Sequence, residues 1–414
     1  MAANATCIPV GGLRWIGTLA AFAMGLAVLV SAAQGFAQVA ERQGPFWDAR
    51  AAPSIESGPG APVRIGIWDS GVDLSLFQDN LARGENGDPL VRGYDAFKLR
   101  QDTVMASLPQ RLLDSRDSLN AALVGFDDLD GGQDTEAATH ITAVLAGMDA
   151  DQSAAFMDDI GLWSGYAHGT GVADIAIQGI PVAEIIVARM EWWHGSPPVP
   201  CWSYELADRE AASMRDLLTF LVESGARVVN MSWGRFETSY IANLEACAPE
   251  MAAGERQALA RYTVESIREV LREGMAAAPQ VLFVGAAGNA GASLDVANPA
   301  TRFSAPNFIL VGAVDRQGEA TDYTNVGVEV TLYANGDRVP GRLPGGQWSA
   351  PTGTSMATPN VTNTAARMLA VNPDLSGAEL RQLLEETADP NATGQLLLHP
   401  ARAVAAARRR AEVN

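Results

Sequence analysis

VRIGIWDSG, residues 63–71, sets the reading of this chain. A short run rich in apolar and β-branched residues, with little polar alternation, stops on an acid, a hydroxyl and a glycine. A strand with one wet face would alternate, so this pattern suits a strand covered on both faces. EIIVARM (184–190), RVVNMS (227–232), QVLFVGA (280–286) and FILVGAV (308–314) read the same way. Helical patterns at 205–224 and 252–274 lie between them. Strands alternating with helices predict an α/β fold, a doubly wound and mainly parallel sheet flanked by helices. Ser376 and Glu379 open SGAELRQLLEETA as a capping-box helix. Segment 400–411 reads as a closing helix, with Arg408, Arg409 and Arg410 at the end where positive charge is favoured.

One stretch breaks the alternation. Residues 98–160 hold two helical patterns, 103–123 and 135–157, and predict a helical insertion. The FDDLDGGQDTE segment (126–136) reads as an acidic surface loop. Its alternating oxygen ligands also suit calcium, although the spacing and closing Glu of an EF-hand are missing. Structural calcium, with no ligands assigned, is the one cofactor the sequence suggests.

The 414 residues allow a large core, and 48% hydrophobic with 19% charged residues is globular composition. The net charge of −19 argues against nucleic acid and against anionic membrane surfaces. Three cysteines exclude a disulfide-dense scaffold and a Cys-type zinc site. Arg14 precedes an uncharged run, Ile16 to Val30, and then SAAQGFAQ. That order predicts an export signal over 1–37, cut after Ala33 or Ala37, into the periplasm or the medium. An uncleaved anchor over Trp15 to Ala33 is the alternative. Residues 38–62 read as a linker or short pro-segment, and 63–414 as one domain. Cys201 and Cys247 either pair in an oxidising compartment or stay as separate buried thiols. Oligomeric state is not legible.

Five segments carry chemistry, in a fixed order. Asp69 ends the first strand. His168 sits in AHGTGVA. Ser232, Trp233 and Gly234 close the third strand in NMSWG. Ala286, Ala287, Gly288 and Asn289 follow the fourth in VGAAGNAG, and Ser355 sits in GTSMATP. Ligands of parallel sheets bind at the carboxyl ends of the strands. His168 and Ser355 precede the apolar helical runs GVADIAI and MATPNVTNTAARMLAV, which predicts both at helix N-termini on the same rim. A serine hydroxyl is a weak nucleophile and needs a base, and His titrates near neutrality. The base needs a buried carboxylate to fix its tautomer. The oxyanion needs donors, which the Asn289 amide and the Ser355 N–H could supply.

The order Asp, His, Ser with these flanks resembles the subtilisin-like serine peptidases over about 62–405. DSG, HGT, SWG, AAGN and GTSMATP carry the resemblance, the last most specifically. It implies that Asp69 orients, His168 is general base and acid, Ser355 is nucleophile and Asn289 is the oxyanion donor. It further implies that Ser232, Trp233 and Gly234 pair with a protein or peptide substrate and wall the first specificity pocket, with Ala286, Ala287 and Gly288 as another side. The expected activity is an exported serine endopeptidase with no required cofactor. A non-catalytic peptide-binding module, or an esterase or peptide ligase on the same residues, is the alternative. The 25 residues between signal and first strand are too few for that family's folded propeptide. His140, His194 and His399 read as structural. Trp192, Trp193 and Trp202 suggest that 191–204 overhangs the cleft, against the plainer reading of ordinary packing.

Overall fold

The computed structural model describes residues 43–55, 62–192, 199–296 and 303–413. The expected export signal lies outside them. The strands are β1 (Val63–Asp69), β2 (Val91–Tyr94), β3 (Ala183–Met190), β4 (Val228–Met231), β5 (Leu282–Ala286), β6 (Phe308–Val314), β7 (Val330–Asn335), β8 (Gly341–Arg342), β9 (Trp348–Ser349), β10 (Asp389–Pro390) and β11 (Leu396–Leu397). The helices are α1 (Pro45–Asp48), α2 (Gln110–Asp114), α3 (Arg116–Asp130), α4 (Glu136–Ala146), α5 (Ala150–Ile177), α6 (Tyr204–Glu223), α7 (Glu237–Cys247), α8 (Ala253–Ala277), α9 (Thr354–Val371), α10 (Gly377–Glu386) and α11 (Pro400–Val413).

Among the described residues nine strands form one sheet, in the order β10-β11-β7-β6-β5-β4-β1-β3-β2. Every neighbouring pair from β11 to β2 is parallel, and β10 alone runs against β11. The parallel sheet expected from the sequence is the one found. Ile65 and Ile67 face one core, with α5 and α9, while Trp68 faces the other, with α6 and α8. Successive strand residues point to opposite faces, so two apolar layers explain the missing polar alternation. The chain leaves β1, returns on one side of it as β3, and then crosses to the other side as β4. That reversal puts a crevice at the carboxyl ends of β1 and β4.

The insertion is helical but cut differently from the sequence expectation. Instead of helices at 103–123 and 135–157, the chain forms α2, α3, α4 and the first half of α5. Pro109 precedes the first of these, and a capping box of Asp149 and Gln152 starts α5. Once started, α5 runs for 28 residues to Ile177. His168 therefore lies inside a helix and not at its N-terminus. Leu112, Leu119, Ile141, Ile160 and Trp163 give the insertion a small core of its own.

The 126–136 segment is a surface turn only in its second half, where Gly132, Gln133 and Asp134 are exposed. Its first half ends α3, where Asp127 accepts from Ser349 Oγ, and Asp128 meets Arg338 at 3.1 Å and Thr135 Oγ1 at 2.7 Å. Burial pushes the Asp127 carboxyl up to about 7. Through Ser349, Asp127 ties the insertion to β9. Among the described residues no group of three or more His, Cys, Asp or Glu side chains could hold a metal ion.

Residues 43–55 are not a free linker either. Trp47 is buried and donates to the Asp315 carbonyl at 3.0 Å. Arg367 donates to the Pro53 carbonyl at 2.9 Å, and Gln43 bridges Asn335 and Asn360. A buried indole and these hydrogen bonds make the segment part of the folded body. Cys201 and Cys247 form a disulfide with Cα atoms 5.6 Å apart. It joins the loop before α6 to the end of α7.

Candidate active site

Asp69 is the last residue of β1 and is 1% exposed. Its Oδ1 accepts from the Ser70 N–H at 2.7 Å and meets His168 Nδ1 at 2.7 Å. A carboxylate only accepts, so the His168 proton sits on Nδ1 and Nε2 is left with a free lone pair. Gly169 makes this contact possible. A Cβ there would lie 2.3 Å from the Gly71 carbonyl oxygen, so α5 approaches the end of β1 as closely as it does only because the side chain is absent. Gly169→Ala should push α5 outward and lower kcat/KM about 100-fold or more, since an ångström of misplacement costs that much. A peptide-hydrolysis assay checks it, and an activity within threefold of the parent contradicts it.

Ser355 sits in the first turn of α9, where N–H groups have no partner inside the helix. The Thr354 N–H donates to Asn289 Oδ1 at 2.8 Å, whereas no hydrogen bond holds the Ser355 N–H among the described residues. Pro359 lies within α9. Proline has no N–H, so the carbonyl four residues back, that of Ser355, loses its helical partner. Ser232 Oγ donates to that carbonyl at 2.8 Å, and Ser355 Oγ donates to the Ser232 carbonyl at 3.2 Å. This reciprocal pair locks the end of β4 onto the start of α9. The Ser355 hydroxyl points to Ser232 here, and no hydrogen bond joins it to His168.

Asn289 is exposed, and its amide is oriented by its oxygen. Oδ1 accepts from both the N–H and the Oγ1 of Thr354, each at 2.8 Å. A backbone N–H can only donate, so the oxygen faces Thr354 and Nδ2 is free to donate elsewhere. Thr354 Oγ1 in turn accepts from the Gly288 N–H at 3.1 Å. Ala286 ends β5, and Ala287 and Gly288 lie between it and this amide. Trp233 is buried edge-on against Trp68 at 5.1 Å, so it can offer a ligand only its main chain.

Sequence reasoning missed the residues that hold these segments. Asn325, 3% exposed, donates to the Ala287 carbonyl and accepts from the N–H groups of Ala290 and Ala292, clamping the loop that carries Asn289. Asn230 and Thr362 brace Ser232 from below through hydrogen bonds at 2.9 Å. Nothing in the local sequence marks Asn325. Trp192 stands edge-on to the His168 ring at 6.0 Å. Trp202 is buried and bonded to Thr263, so it is core and does not overhang the cleft. Trp193 and His194 lie outside the described residues.

A family model described as the subtilase family matches residues 60–402. The chain belongs to the subtilase family. Subtilisin NAT from Bacillus subtilis subsp. natto is 37% identical over 108 residues, covering 26% of this chain and 28% of that protein. Subtilisin BL from Lederbergia lenta is 31% identical over 158 residues, 38% of this chain and 52% of that protein. The aligned stretches thus span from 28% to 52% of these two curated relatives. Among solved structures, that of a lanthipeptide protease overlays with a TM-score of 0.49 at 15% identity, covering 84% of this chain and 88% of that one. Subtilase membership accounts for the order of the five blocks. It leaves Arg342 on Asp174, at 2.7 Å, as a contact tying α5 to β8.

Proposed function

We propose that the chain is an exported serine endopeptidase working through an acyl-enzyme. The observation that carries this reading is the Asp69–His168 contact at 2.7 Å, in a chain that also places Ser355 in the first turn of α9. Ser355 Oγ leaves the Ser232 carbonyl and turns to His168 Nε2, at the cost of about 1 kcal/mol for one neutral hydrogen bond. It attacks the scissile carbonyl while its proton passes to Nε2. The oxyanion takes hydrogen bonds from Asn289 Nδ2 and the Ser355 N–H. Collapse expels the amine with the proton from His168, and water then cleaves the ester by the same route. No cofactor enters these steps. Cleavage of unfolded protein, abolished by a sulfonyl fluoride and retained with a chelator, tests the reading. Tight peptide capture without turnover would overturn it.

Asn289→Ala should lower kcat about 10²–10³-fold with a small change in KM, because the amide meets the oxygen only once it is charged; the magnitude is that of the subtilisin case. Steady-state kinetics checks it, and an equal rise in KM at constant kcat would contradict it. Burial alone draws the His168 imidazolium down, but the charge and hydrogen bond of Asp69 outweigh it and leave the group above the ordinary histidine value. The base works unprotonated. The rising limb of kcat/KM should therefore have its midpoint above about pH 6.5. A midpoint below that would contradict the pairing.

Export rests on the N-terminal pattern and on the Cys201–Cys247 disulfide, which persists in oxidising compartments. No described helix is long and apolar enough to cross a membrane.

A further inference from the structure

The segments 232–234 and 286–288, read above as walls of the first specificity pocket, have a side chain of this same chain between them. A Cβ on Gly234 would lie 2.7 Å from Phe236 Cε2 and 3.1 Å from its Cζ. A Cβ on Gly288 would lie 3.2 Å from that Cζ and 3.4 Å from that Cε2. The same edge of one ring is thus against both glycines, and it spans the gap from one segment to the other.

Neither wall is free to withdraw. The Gly288 N–H is held by Thr354 Oγ1 at 3.1 Å, and its carbonyl accepts from the Asn325 N–H at 2.9 Å. The residues around Phe236 are anchored too. Arg235 Nε donates to the buried Glu210 at 2.9 Å, and Tyr240, one turn into α7, donates to the same carboxylate at 2.8 Å. Phe236 itself is half-buried and immediately precedes α7.

We propose that Phe236 is a specificity-determining residue. Its ring fills the inner part of the first pocket and restricts the residue on the acyl side of the scissile bond to Gly, Ala or Ser. The proposal rests on the reading of Ser355 as nucleophile. Protein interiors are close-packed, so a substrate ring or long aliphatic chain and the Phe236 ring cannot share the gap. Admitting a large side chain means displacing Phe236, which discriminates by about 10- to 100-fold.

The test uses the mature chain and two tetrapeptide anilides that differ only in Ala or Phe at the acyl residue. Active enzyme is counted by titration with a fluorophosphonate. The parent should take the Ala substrate with a kcat/KM about 10- to 100-fold above the Phe substrate. Phe236→Ala should raise the Phe-to-Ala ratio about tenfold or more, Phe236→Leu should raise it less, and Phe236→Tyr should keep the parental preference. If Phe236→Ala does not titrate, Phe236→Leu carries the comparison. A parent that accepts Phe as well as Ala overturns the proposal, because the ring then swings aside. So does a titratable variant with an unchanged ratio. A folded parent that neither titrates nor cleaves overturns the peptidase reading itself, and the pocket assignment with it.

Discussion

Ser355→Ala should remove peptide hydrolysis almost completely, lowering kcat about 10⁶-fold, the size of the loss when a serine nucleophile is deleted. The variant keeps the segments in place. Ser232 Oγ still donates to the carbonyl of residue 355, and among the described residues the bond lost is the one at 3.2 Å from the hydroxyl to the Ser232 carbonyl. Thermal stability should therefore stay within about 1 kcal/mol of the parent, while turnover vanishes. Activity that survives the substitution in a purified preparation would remove Ser355 from the chemistry.

Asp69→Asn should lower kcat about 10⁴-fold at neutral pH. The carboxylate can only accept, and so it keeps the His168 proton on Nδ1. A carboxamide can turn its N–H to Nδ1, which places the ring proton on Nε2, where the serine proton has to go. Loss of the negative charge also removes what holds the His168 pKa up, so the rising limb of kcat/KM should move to lower pH. The sign of that shift separates an electrostatic role from a merely structural one. A variant that unfolds would lose activity with no displaced limb in what remains.

The sheet was legible because burial on both faces leaves a mark at short range. VRIGIWD, EIIVARM and FILVGAV have few polar positions, and all three are strands within a residue of expectation. β2 and β7 were not seen. VRGY is short and half-buried at the sheet edge, and VTLYAN lacks the uninterrupted apolar run of the central strands. His168 lies within α5 rather than at its start for a related reason. HGTGVA looks like the start of a helix, but the start signal lies earlier, at the capping box of Asp149 and Gln152, and several glycines in α5 disguise its continuity.

What the residues of the site do for one another was the least legible part. Asp69, His168, Asn289 and Ser355 could be named because each chemical role demands its residue type. Asn325 and Thr354 could not, since an amide clamping a loop and a hydroxyl relaying between Gly288 and Asn289 are set by tertiary register. Phe236 belongs to the same class. Its position two residues beyond Gly234 says nothing of a ring turned back between Gly234 and Gly288. In the acidic segment 126–136 the charge signals solvent, which holds for Asp130 and Asp134 but not for Asp127 and Asp128, where the fold supplies Ser349, Arg338 and Thr135 as partners.

Catalysis by this chain requires β1, α5, β4 and the start of α9 to bring an activated serine to one rim. The most direct measurement is mass spectrometry of the intact, folded chain after reaction with a fluorophosphonate, followed by peptide mapping. One adduct per chain on Ser355, lost in His168→Ala, is the predicted result. A folded chain with no adduct at Ser355, or an adduct formed equally well without His168, would contradict it.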